Sequence, residues 1–191
     1  GTDTFTSTAD DLYDAASAEV ATIEISGVSG GGASESGTQS VAIAITDAES
    51  APTVTLSVNS SSIAENSGSS ISVTATLSNK SYQTITVGLS ATGGDATVVS
   101  GTDFSVSSSI SISPNTSSGA VAFTPTDDSS SPVYEEDEIV TLAISGVTAG
   151  SASLGGTVSQ TVTINENETV PSVTLTGTTS IDEKTETADV T

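Results

Sequence analysis

The chain repeats itself with a period of about 119 residues, and this period sets the size of the unit that must fold. Gly27 and Gly146 lie in matching Ile-Ser-Gly-Val segments and are 119 positions apart, as are Pro52 and Pro171. Self-similarity at a fixed period is the sequence signature of a tandem array. We therefore expect three pieces: the C-terminal part of one repeat (1–51), a complete repeat (52–170) and the N-terminal strands of a third (171–191).

The connections between these pieces are short. Residues 48–52 and 167–171 join successive repeats, and each connection ends in a proline, which fixes the backbone φ angle and stiffens the start of the next repeat. Both ends of the chain fall inside a repeat. We therefore expect the chain to be an excerpt of a long array whose units are joined without slack.

Within the complete repeat, small polar residues alternate with Val, Ile and Leu at period two. Such runs, bounded by Gly, Asn, Asp and Ser clusters, are typical of the strands of an antiparallel β-sandwich. We predict an all-β fold of tandem sandwiches with about seven strands per repeat, in which Phe104 and Phe123 are the largest core side chains. The predicted strands are 53–58, 70–77, 84–89, 109–112, 120–123, 139–144 and 157–164.

Charge limits the partners of the chain. The 191 residues include 24 Asp and Glu but only two Lys and Arg, which gives a net charge of −22. A surface this negative repels nucleic-acid phosphates and anionic membranes. No apolar run approaches the ~20 residues that span a bilayer. We expect no nucleic-acid partner and no direct membrane insertion of this segment.

The densest run of acid is the segment 127–138, called the acidic loop below, which contains six carboxylates. Carboxylates this crowded repel one another unless a positive charge lies between them. Lys80 and Lys184 are the only basic residues, and Cys and His are absent, so oxygen is the available ligand atom. Ca²⁺ takes 6–8 oxygen ligands and tolerates irregular geometry, whereas Mg²⁺ requires a tight octahedron. We expect Ca²⁺ as the cofactor.

Loops that are distant in sequence lie side by side at one end of a sandwich. Glu65, Asp103, the acidic loop and the segment 165–168 could meet there and share an ion. The alternative is that the acidic loop is a solvated turn that only keeps the protein soluble, with Glu65 and Asp103 on the surface. Paired carboxylates also serve glycoside hydrolysis, but nothing indicates a sugar cleft with aromatic walls, and we predict no enzyme activity.

These motifs resemble the Calx-β domain. The resemblance rests on the acidic loop, on Ile-Ala-Glu-Asn at 63–66 and on Gly-Thr-Asp-Phe at 101–104, and it covers 52–170 and part of both flanking pieces. It implies an immunoglobulin-like sandwich of seven strands with Ca²⁺ bound by loops next to the following domain. The family often ends its last strand with a run of Asp, where this chain has Asn-Glu-Asn at 165–167. The ligands that the resemblance implies are Glu65, Asp103, Asp127, Asp128, Glu135, Glu138 and Glu166.

The first repeat departs from this pattern. The positions opposite Glu135, Glu136 and Asp137 are Ala16, Ser17 and Ala18. We therefore expect at most one Ca²⁺ in the first repeat, and we expect the repeats not to be equivalent.

The resemblance implies a calcium-rigidified structural repeat of a long extracellular surface or filament protein, such as an adhesin stalk used in cell attachment. The partners would be neighbouring repeats of the same chain and like chains in a filament, at a bacterial cell surface. The alternative is a regulatory, calcium-sensing Calx-β module next to a membrane transporter or receptor.

Overall fold

The structure is a computed structural model that describes residues 1–14, 19–93, 102–128 and 134–177, together with residues 180 and 183. Within these residues the chain is all-β, with one short 3-10 turn at Glu65–Ser67 and no α-helix. The strands are β1 (Leu12–Tyr13), β2 (Glu19–Glu24), β3 (Ser40–Ile45), β4 (Thr53–Val58), β5 (Ser62–Ala64), β6 (Ile71–Leu77), β7 (Lys80–Ser81), β8 (Ile85–Gly93), β9 (Phe104–Val106), β10 (Ser109–Ile112), β11 (Ser118–Pro125), β12 (Glu138–Thr148), β13 (Ser153–Leu154) and β14 (Ser159–Asn165).

Ten of these strands form a sandwich of two five-stranded sheets, with the strand orders β10-β8-β12-β14-β5 and β13-β4-β6-β11-β9. Alternation places one face of each strand in the interior, because successive side chains of a strand point to opposite faces. In β4, for example, Val54 and Leu56 are buried, whereas Ser57 is exposed. One contiguous core of aliphatic side chains from both sheets fills the interior.

Two aromatic side chains complete the core. The rings of Phe104 and Phe123 stack with their centroids 5.0 Å apart at an angle of 24°, and both side chains are excluded from solvent. The prediction that they are the largest core side chains is confirmed.

All seven strands predicted from the alternation are present. The expected number of about seven strands was nevertheless too low, because β5, β9 and β13 add short strands of two or three residues to the two sheets. Strands this short carry no readable alternation. The sandwich is also not purely antiparallel, since β5 pairs with β14 and β13 pairs with β4 in parallel.

The first repeat contributes the antiparallel hairpin β2–β3. Its register pairs Glu19 with Ile45, and the register of β12 and β14 pairs Glu138 with Ile164. Each partner is shifted by the same 119 positions, so the two hairpins are structural counterparts. β1 lies outside the hairpin and pairs in parallel with β7.

The third piece is described only in part. Residues 171–176 form no strand, and most residues after 177 lie outside the described part of the chain. The repeat boundaries therefore stay a prediction. Among the described residues there is no helix whose length and apolar character would let it cross a membrane.

Candidate metal centre

The candidate site lies where several strands of the sandwich end on the same side. β5 runs parallel to β14 and pairs Ala64 with Asn165, so the residues that follow, Glu65 and Glu166, leave the sheet next to each other. β12 runs antiparallel to β14, so its first residue, Glu138, lies at this same end of the sheet. The pairing of three strands thus brings together carboxylates from distant parts of the sequence.

The second sheet supplies the remaining residues. β9 and β11 are antiparallel and pair Phe104 with Pro125. The Thr126 N–H donates a hydrogen bond of 2.8 Å to the Asp103 carbonyl oxygen, which holds the residue before β9 against the start of the acidic loop. Asp103 and Asp128 therefore reach the same end of the sandwich as the carboxylates of the first sheet.

The carboxylates form two groups in which the oxygen atoms lie within 4.8 Å of one another. Ca²⁺–oxygen distances are about 2.3–2.6 Å, so two ligands of one ion are at most about 5 Å apart. Each group therefore fits the ligand shell of a single ion. The first carboxylate group is Glu65, Asp128 and Glu168, and the second carboxylate group is Asp103, Glu135 and Glu138.

Glu166 connects the acidic loop to the segment that leaves β14. Its Oε2 accepts the Glu135 N–H at 2.6 Å, and its Oε1 accepts the N–H groups of Asn167 at 2.7 Å and Glu168 at 2.8 Å. Its own N–H donates to Asp137 Oδ1 at 3.0 Å. Burial opposes ionisation, but the hydrogen bonds from Glu168 and Glu135 prevail and lower the pKa of Glu166 to about 2.

Glu168 carries the opposite perturbation. Its hydrogen bond with Glu166 is the largest cause, followed by burial and by the charges of Asp128, Glu166 and Glu65, and together they raise the pKa of Glu168 to about 7. Its Oε1 accepts a hydrogen bond from Asn167 Nδ2 at 2.6 Å.

Two oxygens of this segment are buried acceptors without a donor. Glu168 Oε2 and Asn167 Oδ1 accept no hydrogen bond from any residue that the structure describes. Leaving such an acceptor unsatisfied costs about 1–3 kcal/mol. Carboxylate and amide oxygens of this kind are ligands that a hard divalent cation accepts.

Burial and neighbouring carboxylates raise the pKa values of one member of each carboxylate group, Glu65 and Glu135. Burial is the largest cause that raises the pKa of Glu65, and the charges of Glu166, Asp128 and Asp127 add to it against a 3.3 Å hydrogen bond from the Asp128 N–H. Burial likewise raises the pKa of Glu135, and the charge of Asp103 reinforces it. The acidic end is therefore a place where protons or a cation are held more tightly than on an ordinary surface.

The structure places five of the seven sequence-predicted ligands in the two groups. Asp127 is exposed and belongs to neither group. Glu166 also belongs to neither, because its carboxylate is occupied by backbone N–H groups. Glu168 belongs to the first carboxylate group but was not among the predicted ligands. Part of the acidic loop, residues 129–133, lies outside the described residues.

A sequence signal for Glu168 existed. Glu49 lies 119 positions earlier and makes the same kind of contact, since its N–H donates to Asp47 Oδ1 at 3.0 Å. Asp47 is in turn the counterpart of Glu166. The pair of acids two residues apart after the last strand is thus repeated along the chain.

Comparisons with known proteins assign no family to the chain. No family model matches the chain, and no curated protein matches it. A similar solved structure is the crystal structure of domains 4 and 5 of the S-layer protein SbsC, with a TM-score of 0.31 and 18% sequence identity over 70% of this chain. The chain spans 54% of the length of that structure. The fold is therefore defined here by its own strand order and pairing.

Proposed function

We propose that residues 52–170 form a Calx-β-like, immunoglobulin-like sandwich that binds Ca²⁺ between the loops at its acidic end. The observation that carries the proposal is the convergence of six carboxylates from four separate segments into two groups of ion size. One oxygen of these carboxylates, Glu168 Oε2, and the neighbouring Asn167 Oδ1 are buried and have no donor among the described residues.

The choice of Ca²⁺ follows from the donors. All candidate ligands are oxygens, which excludes the thiolate and imidazole sites preferred by softer metals. The two groups consist of side chains from loops of different length and origin, which suits the variable coordination of Ca²⁺ better than the strict octahedron of Mg²⁺. Backbone carbonyls and water would supply the ligands beyond the carboxylates.

The position of the groups indicates a structural role. Glu168 and Asn167 belong to the short connection that leads from β14 to Pro171, so an ion held by Glu168 fastens this connection to the loops that contain Glu65 and Asp128. The connection then has less freedom to bend. In a tandem array the effect is a stiff rod, the kind of unit expected in a long extracellular surface or filament protein.

Calorimetric titration of the 191-residue chain with Ca²⁺ tests the proposal. We expect two ions to bind per chain in the complete repeat, more tightly than Mg²⁺. Glu168→Gln, which removes a charge from the first carboxylate group, and Asp103→Asn, which removes one from the second, should each reduce the number of bound ions by one.

Glu24→Gln is the matched control, because Glu24 is an exposed carboxylate on β2 that belongs to neither group. It should leave the stoichiometry at the wild-type value. Circular dichroism verifies that each variant is folded. A wild-type chain that gives no calcium-dependent heat contradicts the proposal, and so does a stoichiometry that neither group variant alters.

A further inference from the structure

The first repeat touches the complete repeat through a small surface, called the first joint below, formed by residues 11–14 and 79–82 with Ser50. β1 pairs in parallel with β7, so that Leu12 is opposite Lys80. The Tyr82 N–H donates to the Tyr13 carbonyl oxygen at 3.0 Å. The Asn79 side chain donates from Nδ2 to the Ser50 carbonyl oxygen at 2.9 Å.

An ion pair lies at the centre of the first joint. Lys80 Nζ is 2.8 Å from Asp11 Oδ2. Asp11 belongs to the Asp-Asp pair of the first repeat that corresponds to Asp127 and Asp128 of the complete repeat. The hydrogen bond and the charge of Lys80 lower the pKa of Asp11. A lysine of the complete repeat therefore neutralises one carboxylate of the Asp-Asp pair of the first repeat.

Among the described residues, the other carboxylates of the first repeat form no group of three within 4.8 Å. Both groups of ion size found among the described residues belong to the complete repeat. Residues 15–18, which lie outside the description, are Ala, Ala, Ser and Ala and bring no carboxylate. Asp10, Asp14, Glu19, Asp47 and Glu49 line one pocket of about 340 Å³, in which no three of them lie within 4.8 Å of one another.

Asp47 nevertheless performs the same backbone task as Glu166. Its Oδ2 accepts the Asp14 N–H at 2.7 Å, as Glu166 accepts the N–H of Glu135. This hydrogen bond ties the loop of the first repeat to the segment after β3. The same loop also contains Asp11, which pairs with the ammonium group of Lys80 from the complete repeat.

We propose that Lys80 is the cation of the first joint, so that an ion pair and strand pairing, and not a divalent metal, set the orientation of residues 1–51 against residues 52–170. This goes beyond the proposed function, which assigns calcium to the acidic end of the complete repeat. The orientation at the first joint is then expected to respond to ionic strength.

The absence of Cys from the sequence permits a direct distance measurement. Thr22→Cys on β2 and Ser111→Cys on β10 place spin labels at two exposed positions on either side of the first joint. Double electron–electron resonance should give one main distance in metal-free buffer and the same distance in 2 mM Ca²⁺. Lys80→Met or Asp11→Asn should raise the population at other distances by roughly two- to fivefold, the range that corresponds to an exposed ion pair.

The charge-reversed pair Asp11→Lys with Lys80→Asp should restore the main distance. The same rise should appear in wild-type protein at 1 M salt, where the Debye length falls to about 3 Å. Lys184→Met is the control, because it changes the net charge by the same one unit, and it should leave the distribution as in the wild type.

Three results would overturn the proposal: an unchanged distribution in Lys80→Met, a failure of the charge-reversed pair to restore the distance, or a wild-type distribution that widens when calcium is removed. A chain that binds no calcium in calorimetry but still responds to Lys80→Met would refute the proposed function alone. The two proposals therefore fail separately.

Discussion

Replacing Glu138 by Gln should stabilise the metal-free protein and destabilise the calcium-bound protein. Glu138 is 7% exposed, and its carboxylate lies within 4.8 Å of those of Asp103 and Glu135. Two like charges at this separation repel by about 3.5 kcal/mol at an effective dielectric constant of 20. Because Glu135 is exposed and its charge is screened by solvent, we expect a net gain of about 1–3 kcal/mol.

In calcium the wild-type protein should have a larger free energy of unfolding than Glu138→Gln, which is the reverse of their order in metal-free buffer. An ion that binds only the folded state adds about 2.7 kcal/mol at a concentration of 100 Kd. Wild-type protein should gain this free energy at both carboxylate groups. The variant, which has lost one charge of the second carboxylate group, should gain it only at the first. Urea unfolding followed by circular dichroism, in EGTA and in 2 mM CaCl₂ at pH 7.5, measures all four free energies of unfolding.

Glu136→Gln is the control for this experiment, because it removes the same charge from the same loop at a residue that belongs to neither group. It should change the stability in EGTA by less than Glu138→Gln and leave the calcium response intact. A Glu138→Gln variant that is less stable than wild type in EGTA would refute the repulsion argument. An equal calcium response of variant and wild type would refute the assignment of Glu138 as a ligand.

Two further predictions concern protons and the backbone. In metal-free buffer the stability should be highest near pH 5. The raised pKa of Glu168 gives a contribution to stability that is complete below about pH 4.5 and is lost as the pH rises through about 7. The lowered pKa of Glu166 gives a contribution that is lost as the pH falls from about 4.5 towards 2. A metal-free stability that rises steadily from pH 5 to pH 8 in urea melts would contradict this. Gly150→Ala should cost about 2–4 kcal/mol in the same melts, because φ is +73° and the new Cβ would lie 2.5 Å from Ile85 Cγ1; a loss below 1 kcal/mol would show that this turn adapts easily.

The strands could be predicted wherever alternation extends over four residues or more. β4 and β10 have the predicted bounds because their inward Val, Leu and Ile alternate with Thr and Ser without interruption. β5, β7, β9 and β13 could not be predicted, since two or three residues do not define a period. These short strands exist because a neighbour presents unpaired backbone groups, as β14 does to β5. The position of such a short strand therefore depends on the neighbouring strand and cannot be read from the sequence of the segment itself.

The site could be predicted as a region more easily than as a set of ligands. The density of acid identified the loop, and the sandwich fold explains why Glu65 and Asp103 join it. Glu166 accepts backbone N–H groups and Glu168 belongs to the first carboxylate group. The sequence could not predict this difference, since both residues are acids after the same strand. It is decided by backbone geometry, which points three N–H groups at Glu166 and leaves an oxygen of Glu168 buried without a donor among the described residues.

The carboxylate groups lie at one end of the sandwich, whereas the hydrophobic core fills the space between the two sheets. The aliphatic core and the Phe104–Phe123 stack hold the two sheets together. The carboxylates instead surround the segment 166–170, through which the next repeat is attached. In the proposed function an ion bound there would restrict the connection, because Asn167 Oδ1 and Glu168 Oε2, the acceptors without a donor among the described residues, lie in it. At the first joint Lys80 forms an ion pair with Asp11. We propose that this ion pair orients residues 1–51 against residues 52–170 independently of the carboxylate groups at the acidic end.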